Sequence, residues 1–188
     1  MKTIAFVTRI HPKRPRMLQI CVDSIKAQTS NDYIHILHRD DETKNGYGLF
    51  LANQSFTKVS PIDAQYVMVL DDDDMLVDLN FVKRFRKIVK KYNPEIVFFK
   101  GKIVGKKTLP KKQHWDGKPR RSWIASFCFA VKLDVWKKYI HLWGEKKCGD
   151  YYFISACYKG TKNHFWFDRS IARTQKRAGH SKGEDDHD

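Results

Sequence analysis

The chain is short of acid. Lys and Arg number 36 against 21 Asp and Glu, a formal net charge of +15 over 188 residues. Such a balance favours anionic partners, although part of it serves solubility. Cysteine is scarce as well. The four, Cys21, Cys128, Cys148 and Cys157, form no CxxC pair, which argues against a zinc knuckle or a thioredoxin-type motif. They read as free thiols, most of them packed in the core, of a protein from a reducing compartment. No apolar stretch approaches the roughly 20 residues of a membrane span. The opening run from Met1 to Arg9 breaks too early for a signal peptide and reads as a first strand. The expected location is the cytoplasm. No internal repeat is present.

What is there suffices for one core. The sequence is 41% hydrophobic and 13% aromatic, which excludes disorder by composition and suits one domain of this length. Ile4 to Thr8 is a β-type run. Leu18, Cys21, Val22 and Ile25 recur at helical spacing. Tyr33 to Leu37 predicts a second strand ending in Arg39-Asp40-Asp41. Strand, helix and strand form a βαβ unit, which requires parallel pairing. A helix is expected over Tyr47 to Phe56. Tyr66 to Leu70 is the next strand. Phe81, Phe85, Ile88, Val89 and Tyr92 mark an amphipathic helix stopped at Asn93-Pro94. Its outer face carries Lys83, Arg84, Arg86, Lys87, Lys90 and Lys91. Ile96 to Phe99 and Lys102 to Val104 read as strands around Gly101. Gly105 to Arg121 has no period and reads as a mobile loop. Helices are expected from Leu133 to about Leu142 and from Asp150 to Gly160. Strands follow at Phe165 to Phe167 and Ile171 to Thr174.

The acid that the chain does hold is concentrated. Asp71, Asp72, Asp73 and Asp74 follow directly on Tyr66-Val67-Met68-Val69-Leu70. Adjacent carboxylates disfavour one another's ionised forms unless a cation sits among them. A buried strand ending in acid delivers those groups to its C-terminal edge, where open α/β sheets bind ligands. Hard oxygen donors suit magnesium, manganese or calcium. The pattern points to a metal-dependent site for a phosphorylated ligand. The bland alternative is a solvated turn or a helix N-terminus.

Strand, loop, helix and strand, an Asp-Asp after the second strand, and then Val69-Leu70-Asp71-Asp72-Asp73-Asp74 resemble a GT-A-fold glycosyltransferase, closest to the inverting, DxD-containing family-two-like enzymes. The resemblance runs from Thr3 to about Gly183. It implies a single Rossmann-like α/β domain, with a mostly parallel central sheet flanked by helices and a smaller mixed C-terminal part. Residues 1–100 would bind the nucleotide sugar, 101–183 the acceptor, and 184–188 form a polar tail. The implied reaction moves a sugar, UDP-linked by expectation, from a nucleotide-diphosphate donor to an acceptor hydroxyl with inversion, using Mn2+ or Mg2+. Thr8 would sit at the mouth of the nucleotide pocket and Asp40 or Asp41 would meet the base. Asp71 would approach the ribose and metal water, and Asp73 would ligate the metal. Asp72 and Asp74 are fallbacks, because four aspartates leave the register open by one. Asp150 matches the family's base, although Gly149 stands where another acid is usual. Glu145 is the backup. His180 would touch the metal or diphosphate, with Arg177 and Lys182 holding phosphate by charge-assisted bonds.

Each assignment has a structural competitor. Asp40-Asp41 also suits an Asx-type turn, Asp150 a helix N-cap, and His180 a solvated side chain. Among the tryptophans, Trp136 and Trp166 read as core. Trp115 and Trp123 flank the period-free segment, and Trp115 is the better candidate for an acceptor contact. The acceptor class stays open between glycan, lipid-linked and protein-linked hydroxyls, and the basic face allows peripheral membrane contact. A nucleotidyltransferase acting on a sugar phosphate would carry a glycine-rich loop after the first strand, and Arg9 to Arg14 holds no glycine. A nucleic-acid-binding module fits the basic segments but fits poorly with four aspartates between them, so nucleic acid is not an expected partner.

Overall fold

The computed structural model describes residues 1–11, 14–39, 55–105, 108–144 and 148–175. An eight-stranded mixed sheet runs in the order β2-β1-β3-β7-β5-β8-β4, with β6 paired to β5. The strands are β1 (Lys2–Ile10), β2 (Tyr33–Arg39), β3 (Ala64–Val69), β4 (Asp74–Leu76), β5 (Ile96–Lys102), β6 (Thr108–Leu109), β7 (Phe129–Lys132) and β8 (His164–Thr174). The helices are α1 (Pro15–Lys26), α2 (Phe81–Tyr92), α3 (Leu133–Tyr139), α4 (His141–Gly144) and α5 (Gly149–Gly160). The α/β class and the flanking helices are as expected. The first three strands pair in parallel, as the βαβ reading requires. Beyond them the sheet is mixed. Only β5–β8 is parallel, whereas β3–β7, β5–β7, β5–β6 and β4–β8 are antiparallel.

Period-2 geometry explains the two helical layers. Successive strand residues point to opposite faces. Phe99 meets Phe81 of α2, at 5.0 Å between ring centroids. Its neighbour Phe98 points the other way, toward Tyr158 of α5 at 6.1 Å. α1 and α2 cover one face. There Phe6 packs on Phe81 at 6.2 Å and Tyr66 on Phe85 at 5.2 Å. On the other face Trp136, Trp143 and Phe153 close around Phe129. Asn93, in the left-handed conformation at φ 44°, ends α2, where asparagine is tolerated.

Several boundaries differ from the sequence reading. β5 continues through Gly101, with a register irregularity against β8 between Phe99 and Gly101, and the glycine leaves room for Phe127, whose ring would stand 2.2 Å from a Cβ there. The period-free segment contributes β6 and a 3-10 turn at Lys112–His114, so it is in part a sheet edge. β8 is one strand of eleven residues, paired with β5 on both sides of a register irregularity and with β4 at its C-terminal end. The expected helix after Leu133 divides into α3 and α4. Of the helix expected before Phe56, Tyr47 to Gln54 lie outside the described residues. Among the described residues no helix is long and apolar enough to cross a membrane.

Phe85 is fully buried and shares rings with Tyr66, Phe81 and Phe99. Phe85→Ala is expected to lower unfolding free energy by about 3–5 kcal/mol. Lys87→Ala, on the opposite side of the same helix, should change it by less than about 0.5 kcal/mol. Urea denaturation of both variants checks the assignment of the two faces.

Candidate functional site

β3 ends at Val69, and the four aspartates follow where β1, β2 and β3 all present their C-terminal ends. The run does not project as one tuft. Its side chains alternate: Asp71 and Asp73 are half-buried, Asp72 and Asp74 buried. Asp74 already belongs to β4 and pairs with Thr174. That edge strand was not legible in the sequence, where the alternative to a ligand site was a solvated turn or a helix N-terminus.

The buried pair has internal partners. Asp72 accepts the His11 N–H at 2.6 Å and a bond from Arg14 Nη1 at 3.3 Å. The same Nη1 lies 3.1 Å from Asp73 Oδ2. Arg14 is itself only 8% exposed. Burial, reinforced by the Asp73 charge, outweighs these bonds and pushes Asp72 up to about 7. Burial pushes Asp74 well above the carboxylate range too, with Asp73 and Asp71 adding repulsion. Gln175 secures the backbone of the run. Its Nε2 donates to the carbonyls of Met17, Asp72 and Asp74 at 2.8, 3.1 and 3.2 Å, and its N–H donates to Asp73 O at 2.8 Å.

Asp71 turns toward the C-terminal half of the chain. Ser126 Oγ donates to its Oδ2 at 2.9 Å, because antiparallel β7 brings its entry turn to the end of β3. Asp150 sits in the first turn of α5, with Cys148 as the N-cap. It is therefore not the cap itself. Its Oδ1 accepts the Tyr151 N–H at 2.8 Å. Burial raises it to about 6, and the Asp71 charge adds to the rise, which puts the two carboxylates in one electrostatic neighbourhood. The missing acid at position 149 has a steric cause. A Cβ on Gly149 would stand 1.8 Å from the Trp143 carbonyl oxygen.

Thr8 is not at a pocket mouth. It is fully buried, and its hydroxyl donates to Leu70 O at 2.8 Å and meets His35 Nε2 at 2.9 Å, tying β1 to its neighbours. His35 is held near pKa 4, by burial first and then by the Lys26 charge. Trp115 packs edge-on against Trp166 at 5.0 Å under the Lys100 ammonium, so its ring has protein partners. Trp136 is buried, and Trp166 is half-buried and stacks on Phe98 at 4.2 Å. Trp123 is half-buried beside His114, with Lys111 Nζ 3.9 Å above its ring. Asp40, Asp41, Glu145, Arg177, His180 and Lys182 lie outside the described residues. Among the described residues, no three His, Cys, Asp or Glu side chains gather as a metal cage.

No family model matches the sequence, and no curated protein does. Solved structures do match in shape. The S. aureus TarS 1–349 structure in complex with UDP-GlcNAc aligns with a TM-score of 0.71 at 13% identity, over 96% of this chain and 60% of that one. The same fragment in complex with UDP gives 0.69 at 12% identity, over 93% and 60%. The chain shares with these TarS structures an α/β, Rossmann-like fold, a mixed sheet flanked by helices. The chain thus spans about 60% of the length of the TarS fragment it matches. A more distant likeness is to 4-diphosphocytidyl-2C-methyl-D-erythritol synthase from Anaerococcus prevotii, with a TM-score of 0.53 at 12% identity over 89% of both chains.

Arg14, Ser126 and Gln175 are the site residues that sequence reasoning missed. Arg14 carried one signal. It occupies the N-cap of α1, next to Pro15 at the first helical position. A cation there opposes the helix macrodipole, so a tertiary partner is needed to hold it.

The raised Asp72 pKa has a signed consequence. Between 3.8 and about 7 the folded protein keeps a proton on Asp72 that the unfolded chain releases. Its stabilising contribution is fully present below 3.8 and is lost as pH rises to about 7. The melting temperature of Asp72→Asn relative to wild type should therefore climb between roughly pH 4 and pH 7. A difference independent of pH would mean that Asp72 titrates normally.

Proposed function

We propose that the chain transfers a sugar from a nucleotide-diphosphate sugar, UDP-linked, to an acceptor hydroxyl with inversion. The arrangement that carries this reading is Asp71 at the end of β3, bonded to Ser126 Oγ at 2.9 Å, with its charge reaching the buried Asp150 in the first turn of α5, 79 residues on in sequence (150 − 71). Inverting transfer needs a carboxylate on the acceptor side to take the hydroxyl proton while the diphosphate leaves opposite. Asp150, raised to about 6, is a stronger base than an ordinary carboxylate and stays mostly ionised at neutral pH. The TarS structures in complex with UDP-GlcNAc and UDP support a UDP-linked donor.

Asp71 and Asp73 fit a hard divalent cation, Mn2+ or Mg2+. They are the two less buried carboxylates of the run, and such ions take most of their coordination from phosphate and water. When bound, the ion supplies neutralisation of the charge on the departing diphosphate. The other roles belong to the chain. Ser126 orients Asp71, and Arg14 orients Asp73 while holding Asp72 out of the site. Arg177 and His180 follow two and five residues after Gln175, which is bonded to the run. Under this reading they hold the departing diphosphate by charge-assisted bonds. Under this reading residues 1–100 serve the donor and 101–183 the acceptor, which is a glycan or a lipid- or protein-linked hydroxyl.

The likeness to the 4-diphosphocytidyl-2C-methyl-D-erythritol synthase favours a second reading, nucleotidyl transfer to a sugar phosphate. The glycine-free loop from Arg9 to Arg14 weighs against it. The released product separates the two. UDP from a nucleotide sugar supports the first, and pyrophosphate from a nucleoside triphosphate the second. Asp150→Asn is expected to lower turnover about 10²–10⁴-fold while leaving UDP affinity within roughly twofold of wild type. Equal loss of binding and turnover would make Asp150 a structural residue.

A further inference from the structure

The outer face of α2 is basic from end to end. Lys83, Arg86, Lys87, Lys90 and Lys91 are exposed and Arg84 is half-buried, and the helix contains no acid. At 100° per residue these six fall within one sector of the helix, opposite Phe81, Phe85 and Ile88. Arg84 reaches Asp78 and Arg86 reaches Asp32, each at 3.5 Å. Lys83, Lys87 and Lys90 form no ion pair among the described residues. A hollow of about 290 Å³ opens between Asn80, Lys83, Arg84 and Lys87. The segment leading into it exposes Val77 (43%) and Leu79 (53%), two of the six exposed large hydrophobic residues described. None of this serves the acid run, and the core explains only the buried side of the helix.

We propose that this face docks on an anionic lipid bilayer, with the hollow seating a headgroup phosphate and Leu79 and Val77 entering the interface beside it. Charge complementarity selects an anionic surface: each basic side chain near such a membrane adds roughly fivefold to partitioning. The exposed aliphatic pair favours lipid over nucleic acid, for which bases need aromatic platforms; the exposed aromatic of this helix, Tyr92, is already stacked on Phe165 at 4.7 Å. The apolar face of α2 is committed to the core, so the helix lies on the surface rather than in it. The proposal does not depend on the transfer reaction.

Vesicle co-sedimentation of the full chain tests it. Phosphatidylcholine vesicles are compared with vesicles in which roughly one lipid in three is phosphatidylglycerol. Wild type should bind the anionic vesicles at least about tenfold more tightly and lose that preference as salt is raised. The triple variant Lys83→Glu, Lys87→Glu, Lys90→Glu should lose about tenfold or more, with an unchanged circular dichroism spectrum. Leu79→Ser should weaken binding about threefold at salt concentrations that leave the charges screened. A control, Lys118→Glu with Arg120→Glu, should stay within about twofold. Three results would overturn the proposal. Wild type shows no anionic preference; or the control loses binding as fully as the α2 variant; or a random DNA duplex binds α2 more tightly than the vesicles do.

Discussion

Four adjacent carboxylates at the dry edge of a sheet are tolerable only if their charge is divided. That constraint governs the upper edge of this molecule. Arg14 supplies one cation, reaching both Asp72 and Asp73, and the His11 N–H supplies a donor to Asp72. Burial still outweighs them at Asp72, which is displaced toward its neutral form. The run is thus divided between two buried groups with structural partners and two less buried ones. A buried ion pair of this kind is weak evidence for stability, yet removing Arg14 alone would be costly, because it would leave carboxylates without their counter-charge.

The sheet brings the second half of the site to that edge. Because β7 enters antiparallel beside β3, its leading turn places Ser126 on Asp71. The aromatic layer of Trp136, Trp143 and Phe153 sets α5 against the same sheet, with Gly149 tight against the Trp143 carbonyl. Asp150 in the first turn of α5 is thereby oriented by packing. Gln175, at the end of the described chain, bonds both α1 and the acid run. One edge therefore gathers residues from both ends of the sequence.

What was legible in the sequence was local. The parallel first strands, the two amphipathic helices and the acids following β3 all follow from periodicity, because period and burial are properties of neighbouring residues. Asp150 and the acid run stood out by residue type and position, and the fold sets Asp150 within the field of Asp71. What escaped was long-range. The Arg14–Asp72 pair spans 58 residues and the Gln175–Asp72 bond 103, and no local pattern encodes either. Thr8 has the same composition whether its hydroxyl faces a ligand or Leu70, so its burial could not be read. β4 hid inside the acid run because aspartate is depleted in strands, and only its pairing with β8 holds it there.

The alternation along the run gives the account its most direct test: a crystal structure with UDP and Mn2+, read by anomalous scattering. The account predicts a manganese peak coordinated by Asp71 or Asp73 and by the diphosphate, with Asp72 still bonded to His11 and Arg14. A peak held by Asp72 or Asp74 after Arg14 has moved away, or UDP lodged clear of the acid edge, would contradict it.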